Sequence, residues 1–174
     1  MQEKIYILNE NGSVKGLEFR DIVHEKGLLH SAVQCWIMNN DGDVLIQRRA
    51  ATKDKSAGKW DVSFGGHCTE TSEKDFITAN IIKEAKEELG IQVSAEILIK
   101  LGEVRYTSQQ AKNKELLSIF LIKSDNFNNF VFNDGEVSEV KWIKIDELYN
   151  NIQNNPKEYA NRLGAVSLLK FYEK

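Results

Sequence analysis

The chain has 174 residues, of which 41% are hydrophobic and 28% charged, with a net charge of −3; this suits one globular domain able to bury a core. That balance excludes a non-specific nucleic-acid binder, which needs a basic excess, and no run approaches the roughly 18 apolar residues of a membrane span. Met1-Gln2-Glu3-Lys4 begins no signal peptide, and the two cysteines, Cys35 and Cys68, read as reduced thiols of a cytoplasmic protein.

Lys4 to Leu8 is β-like, Asn9-Glu10-Asn11-Gly12 is a hairpin turn, and Val14 to Phe19 is the returning strand. Arg20 to Gly27 is polar, holds His24 and reads as a crossing segment. Leu28 to Met38 is a long β-like run that ends in Asn39-Asn40-Asp41-Gly42, with Val44 to Arg49 as its hairpin partner. Ala51 to Lys59 is a polar loop. Trp60 to Phe64 is a short strand that delivers the chain into the Gly65-Gly66 turn.

A helix follows, opened by Ser72 with Asp75 three residues on and closed by Leu89-Gly90-Ile91, where Gly90 can turn left-handed. Phe76, Ala79, Ile82 and Leu89, with Ile77, Ile81 and Ala85, make a wide apolar stripe. Glu84, Glu87 and Glu88 stand at i, i+3 and i+4, so three carboxylates leave one side of the last two turns. Like charges at that spacing repel by about 0.2–0.5 kcal/mol per pair and crowd the partially negative helix end. A hard divalent cation turns that repulsion into ligation, since Mg²⁺ takes a few carboxylate oxygens and keeps water and phosphate in its other positions. The plainer reading is a solvated face offset by Lys83 and Lys86.

Beyond the helix, Ala95 to Tyr106 alternates weakly and Thr107 to Lys114 is a loop. Glu115 to Ile122 is a strand, Ser124 to Asp134 an Asn-rich loop, and Glu139 to Ile143 a strand. Ile145-Asp146-Glu147-Leu148 starts a helix, and Asn151 to Asn155 links it to a last helix holding Tyr159, Leu163, Val166, Leu168, Leu169 and Phe171. Many strands, one strong helix and a helical tail make the fold class α+β.

The string Lys83-Glu84-Ala85-Lys86-Glu87-Glu88-Leu89-Gly90-Ile91, with the Gly65-Gly66 turn, resembles the Nudix box; Lys83 stands where that family usually has Arg. Between Gly66 and Lys83 the chain is about three residues longer than the common pattern, roughly one helical turn. The box glutamate near the helix start is therefore open among Glu70, Glu73 and Asp75. The resemblance implies a Nudix α/β/α sandwich with a mixed sheet, one domain over 1–174 with 1–27 as an N-terminal hairpin extension and 151–174 as a C-terminal helix.

Three runs resemble the branch related to isopentenyl-diphosphate isomerase: Leu45 to Arg49 with Gly58 to Ser63 and Gly66-His67; Glu136 to Trp142; and Lys83 to Gly90. The isomerase places a cysteine immediately before its Gly-His, where this chain has Gly65; Cys68 comes after the His. A glycine carries no proton, so one of the two proton-carrying groups is missing. All three histidines, His24, His30 and His67, fall at or near isomerase metal-ligand positions, and Glu115 matches a further ligand. Asn113 replaces another, and the His24–His30 gap is one residue short. Three histidines and a glutamate suit Zn²⁺ or Mn²⁺.

The reaction this implies is Mg²⁺-dependent (Mn²⁺ also suits) hydrolysis of a pyrophosphate bond in a nucleoside diphosphate derivative or related small diphosphate. Glu87 and Glu88 are the ligands, and Glu84 a third ligand or the base that takes the water's proton. Lys83 orients Glu84, and Gly65 and Gly66 allow close backbone approach. Arg49 and Lys53 match phosphate-binding positions, with Arg48 on the opposite strand face. Glu136 and Glu139 stand where a supplementary base is often found. Trp36, Trp60 and Trp142 read as core. The alternatives are the isomerase itself and a nucleotide-sensing domain that does not cleave. The expected partner is a small diphosphate, with no nucleic acid and no membrane, and the protein a monomer or homodimer. Specificity falls to the loops Ala51–Lys59, Thr107–Lys114 and Ser124–Asp134.

Overall fold

The computed structural model describes residues 3–53, 55–108, 112–133 and 135–173. Met1 and Gln2, residue 54 of the first specificity loop, residues 109–111 of the second and residue 134 of the third lie outside the described residues. Among the described residues, strand β3 (Leu29–Met38) is the hub of a nine-stranded mixed sheet and is buried along its whole length. It runs parallel to β8 (Asn113–Lys123) and antiparallel to β6 (Phe64–His67). A strand covered on both faces needs no polar alternation, hence its apolar character. β7 (Ile99–Ser108) pairs with β8 on the far side. The β1 (Lys4–Leu8)–β2 (Val14–Phe19) hairpin reaches β3 at Ile7–His30.

β4 (Asp43–Arg49) touches β3 only at Ile37–Leu45 and Met38–Val44, then turns away to pair with β9 (Val137–Lys144) and β5 (Trp60–Asp61). The sheet is therefore parted: β3 keeps β6 as its neighbour where β4 has left, and residues 62–63 cross the opening. The predicted single strand Trp60–Phe64 is in fact β5 and β6, split by that crossing.

Alternation along β3 divides the core. Ala32, Trp36 and Met38 pack with α3 (Ile145–Asn154) and α4 (Leu163–Tyr172) through Leu148, Ile152, Val166 and Leu169. Val33, Cys35 and Ile37 pack with α2 (Phe76–Leu89) through Ile81, Ala85 and Leu89. The buried leucines and isoleucines among them, Ile37, Ile81, Leu89, Leu148, Ile152 and Leu169, each contribute about 2–5 kcal/mol against truncation to alanine. Helices on both faces of a mixed sheet realise the expected sandwich.

Helix α2 starts one turn later than Ser72 suggests: Asp75 is the N-cap, its carboxylate accepting from the Thr78 amide at 3.1 Å. At its C-terminus Gly90 is left-handed (φ 67°), and the Gly90 and Ile91 amides return to Lys86 and Ala85, the expected closing turn. The loop before β9 docks over this end, with the Val131 amide donating to the Leu89 carbonyl.

Arg20–Lys26 forms a helix, α1, where a crossing segment was expected. Two turns with Val23 as the one buried residue give too little periodicity to reveal a helix. In the C-terminal part, α3 runs on through Asn154, so residues 151–154 are no linker. Tyr159 precedes the last helix and bridges to Trp60. No helix of the described residues is long and apolar enough to cross a membrane.

Candidate active site

Glu84 and Glu88, one turn apart on α2, turn inward beneath the Gly65-Gly66 stretch of β6, and Glu87 stays at the rim. Glu88 is 1% exposed and its Oε2 accepts from Gln47 Nε2 at 2.8 Å and from the Gly65 amide at 3.1 Å. Glu84 is 8% exposed and lies against Gly66, where a Cβ would come within 2.7 Å of its carboxylate. Lys83 bridges the rim, 2.8 Å from Glu87 and 3.4 Å from Glu84.

Two buried carboxyls this close are reluctant to ionise. Burial first, against the pull of Lys83 and with the push of Glu87, raises Glu84 to about 7. Burial first, then the Glu84 charge, raises Glu88 to about 8 against the hydrogen bonds from Gly65 and Gln47. Glu136 adds its negative field to both and is itself ion-paired with Lys53. Such a site gains most from a divalent cation, which replaces the protons and cancels the repulsion; its oxygens are of the kind Mg²⁺ takes.

Glu70 and Glu73 are exposed, and Asp75 is spent on capping. Nine residues of helix, a rise of roughly 13 Å, separate Asp75 from Glu84.

A second group forms on the other face of β6. His24 comes from α1, His30 from β3, His67 from β6 and Glu115 from β8. The three imidazoles bring one nitrogen each within 4.8 Å of one another, with ring centroids 5.0–5.1 Å apart. Glu115 Oε1 lies 3.8 Å from His30 Nε2 and 3.6 Å from His67 Nε2. His30 Nδ1 donates to the Leu28 carbonyl at 2.9 Å, which turns the lone pair of Nε2 inward. His30 Nε2 and His24 Nδ1 are buried without a hydrogen-bond partner among the described residues.

Burial, joined by neighbouring positive charge, lowers His24 and His30 to about 4, so both are neutral at pH 7. Burial works against ionised Glu115, yet hydrogen bonds from His67 and Asn113 prevail and hold it at about 2. Neutral imidazoles, orphaned nitrogens and an ionised carboxylate fit Zn²⁺ or Mn²⁺. Asn113, in the place of a further ligand, donates to Glu115 Oε1 at 2.8 Å.

Strand register explains how the two groups adjoin. Gly66 lies opposite Val33 and His67 opposite Ala32, so successive residues face opposite sides of the sheet. The carboxylates lie on the α2 side and the histidines on the α3–α4 side, one residue apart along β6.

Of the basic candidates, Arg49 lies at the opening, Nη1 3.8 Å from Asp61. Arg48 goes elsewhere: it pairs with Glu139 at 2.9 Å and covers the Trp60 ring at 5.8 Å. The three tryptophans pack as read, Trp36 fully buried, Trp60 and Trp142 half-buried against the two cores. Two hollows of about 340 and 350 Å³, lined by Lys26, Gly27 and Lys114, include no residue of either group. Sequence reasoning misses Gln47, Asp61 and Arg162. Gln47 sits in a strand that reads as apolar, Asp61 in a two-residue strand, and Arg162 in a tail whose path is set by pairing with a strand far away in sequence.

Comparison with known proteins shows the family and the fold. A family model described as NUDIX domain matches residues 28–163. An uncharacterized Nudix hydrolase of Clostridium acetobutylicum is 29% identical over 159 residues, 88% of this chain and 75% of that protein. An isopentenyl-diphosphate delta-isomerase of Photorhabdus laumondii is 29% identical over 163 residues, 92% and 88% of the two chains. The crystal structure of DR0079 from Deinococcus radiodurans shares the fold, with a TM-score of 0.73 at 22% identity, covering 98% and 99% of the two chains.

Proposed function

The chain belongs to the NUDIX family, and on that premise we propose that it is a Mg²⁺-dependent pyrophosphohydrolase acting on a nucleoside diphosphate derivative or related small diphosphate. The observation that carries this is Glu84 and Glu88, buried side by side, ready to exchange protons for a divalent ion beneath a strand stripped of side chains at Gly65 and Gly66.

When bound, Mg²⁺ supplies phosphate charge neutralisation and a lowered pKa for the attacking water. Glu87 and Glu88 would hold it. Gln47 and the Gly65 amide fix the Glu88 carboxylate. Glu84, which gives up its proton near neutrality, would be a third ligand or the base that takes the proton of the attacking water. Lys83 steers Glu84 and Glu87, as a point charge and without a bidentate fork. Arg49 and Lys53 approach from the β4 side to meet phosphate.

The histidine group favours a second reading, the isomerase. Against it, Gly65 holds the position of the isomerase cysteine, and a Cβ there would run into the Val33 carbonyl oxygen. No side chain fits without moving β3. We therefore assign the His24, His30, His67 and Glu115 group to a second ion, Zn²⁺ or Mn²⁺, serving the hydrolase. A nucleotide sensor that does not cleave has no need of the retained carboxylates. The test is a panel of nucleotide and prenyl diphosphates with Mg²⁺ or Mn²⁺, scored for release of phosphate or of phosphomonoester products and for isomerised product. Release that vanishes in Glu87→Gln supports hydrolysis. Isomerised product without release overturns it.

A further inference from the structure

The segment before α4 runs beside β5: the Trp60 amide donates to the Glu158 carbonyl and the Ala160 amide to the Trp60 carbonyl, both at 2.8 Å. This pairing delivers Arg162 into the parted sheet. There its Nε and Nη2 fork onto Asp61 at 2.6 and 2.9 Å. Asp61, 2% exposed at its side chain, also faces Arg49 Nη1 at 3.8 Å. Two guanidinium groups thus share one buried carboxylate, and Arg162 also feels the ionised Glu115. The remaining nitrogen, Arg162 Nη1, lies 3.3 Å from the Gln34 side-chain oxygen, with the amide oriented to face it. Nη1 carries two hydrogens, so among the described residues one is left for a further acceptor.

Gln34 lies opposite Gly65 in the β3–β6 register, on the sheet face that also carries His67 and Glu115. The Arg162 side chain retains 21% exposure and that of Arg49 17%, so neither is sealed off from solvent. A structural clip alone does not require this arrangement, because apolar residues fasten a terminal segment without desolvating charge.

We infer that Arg162 selects the substrate: its Nη1 donates to an oxygen of the group attached to the diphosphate, so the enzyme takes a sugar- or nucleoside-bearing diphosphate and rejects a hydrocarbon tail. This rests on the pyrophosphohydrolase reading. A hydrocarbon in the opening strips water from the guanidinium and returns no acceptor, and sites built around such hydrogen bonds discriminate strongly.

The experiment compares kcat/KM of the full-length protein, with Mg²⁺, on ADP, a nucleoside diphosphate sugar, and isopentenyl diphosphate. The wild-type protein prefers the better nucleotide over isopentenyl diphosphate by about 100-fold or more. Arg162→Leu raises KM for the nucleotide substrates and collapses that ratio to within a few-fold, whereas Arg162→Lys restores part of it. Should Arg162→Leu fail to fold, Asp61→Asn/Arg162→Leu, which leaves neither charge of the pair behind, is measured in its place. Equal loss on all three substrates, or a wild-type preference for isopentenyl diphosphate, overturns the inference while leaving the hydrolase reading intact. If the wild-type protein cleaves none of them, the hydrolase reading fails instead. Calorimetric titration of ADP against isopentenyl diphosphate into wild type and Arg162→Leu then decides on Arg162 alone: equal wild-type affinities, or a preference that survives in the variant, overturn it.

Discussion

The Glu84 carboxylate occupies the space that a side chain at Gly66 would fill, with 2.7 Å between that carboxylate and the nearest possible Cβ. Because the displaced atoms end a flexible side chain, Gly66→Ala folds but swings Glu84 out of register with Glu88. Turnover and Mg²⁺ affinity fall about 10- to 100-fold, the usual consequence of disturbing a ligand's support, with little change in melting temperature. Gly65→Ala meets backbone instead, the Val33 carbonyl, and loses about 1–3 kcal/mol of stability. Thermal melts and initial rates on the two variants separate these outcomes.

Gln47 offers a cleaner test of support without ligation. Its Nε2 donates to Glu88 Oε2 while its Oε1 is buried without a partner, so Gln47→Leu removes one good bond and one orphaned oxygen together. Stability is expected to change little, whereas the apparent Mg²⁺ constant weakens about 10- to 100-fold. A variant with wild-type Mg²⁺ dependence would take Gln47 out of the site.

How much of this was legible beforehand follows from the range of the interactions. The Glu84–Glu88 spacing, the Gly90 cap and the Asn39–Gly42 hairpin are local, and the structure keeps them. The Asp75 cap was misplaced by three residues because Ser72, Glu73 and Asp75 offer competing local bonds in an exposed stretch. Helix α1 was hidden because its shape depends on being held between β2 and β3. Resemblance, not periodicity, suggested that His24, His30, His67 and Glu115 belong together; only the sheet pairing shows them adjacent. Asp61 and Arg162 stand 101 positions apart, and nothing local marks either one.

If the histidine group holds its own ion, metal content separates the two groups. Wild-type protein loaded with Zn²⁺ or Mn²⁺ and passed over a desalting column retains about one equivalent, judged by elemental analysis. His30→Ala and Glu115→Gln lose it, and Glu87→Gln keeps it. Retention by His30→Ala would assign the ion elsewhere.

The last expectation concerns pH and stability of the metal-free protein. Glu84 and Glu88 hold their protons to about 7 and about 8, whereas the unfolded chain releases them near 4.5. Their stabilisation is therefore complete below pH 4.5 and is lost as pH rises through 7 and 8, at roughly 1.4 kcal/mol per pH unit for each group. His24 and His30 act oppositely: lowered to about 4, they add stability as pH rises from 4 to 6.5. Between pH 4.5 and 6.5 the pairs offset each other, and above 6.5 only the carboxyls remain in play. The melting temperature without metal should thus be nearly flat from pH 4.5 to 6.5 and fall between pH 6.5 and 8. Added Mg²⁺ binds the ionised carboxylates, so the rise in melting temperature it produces should grow over that same interval. Glu88→Gln should flatten both curves. A Mg²⁺-induced rise independent of pH would mean that the ion does not displace these protons, and the buried carboxyls would have to be removed from the metal site.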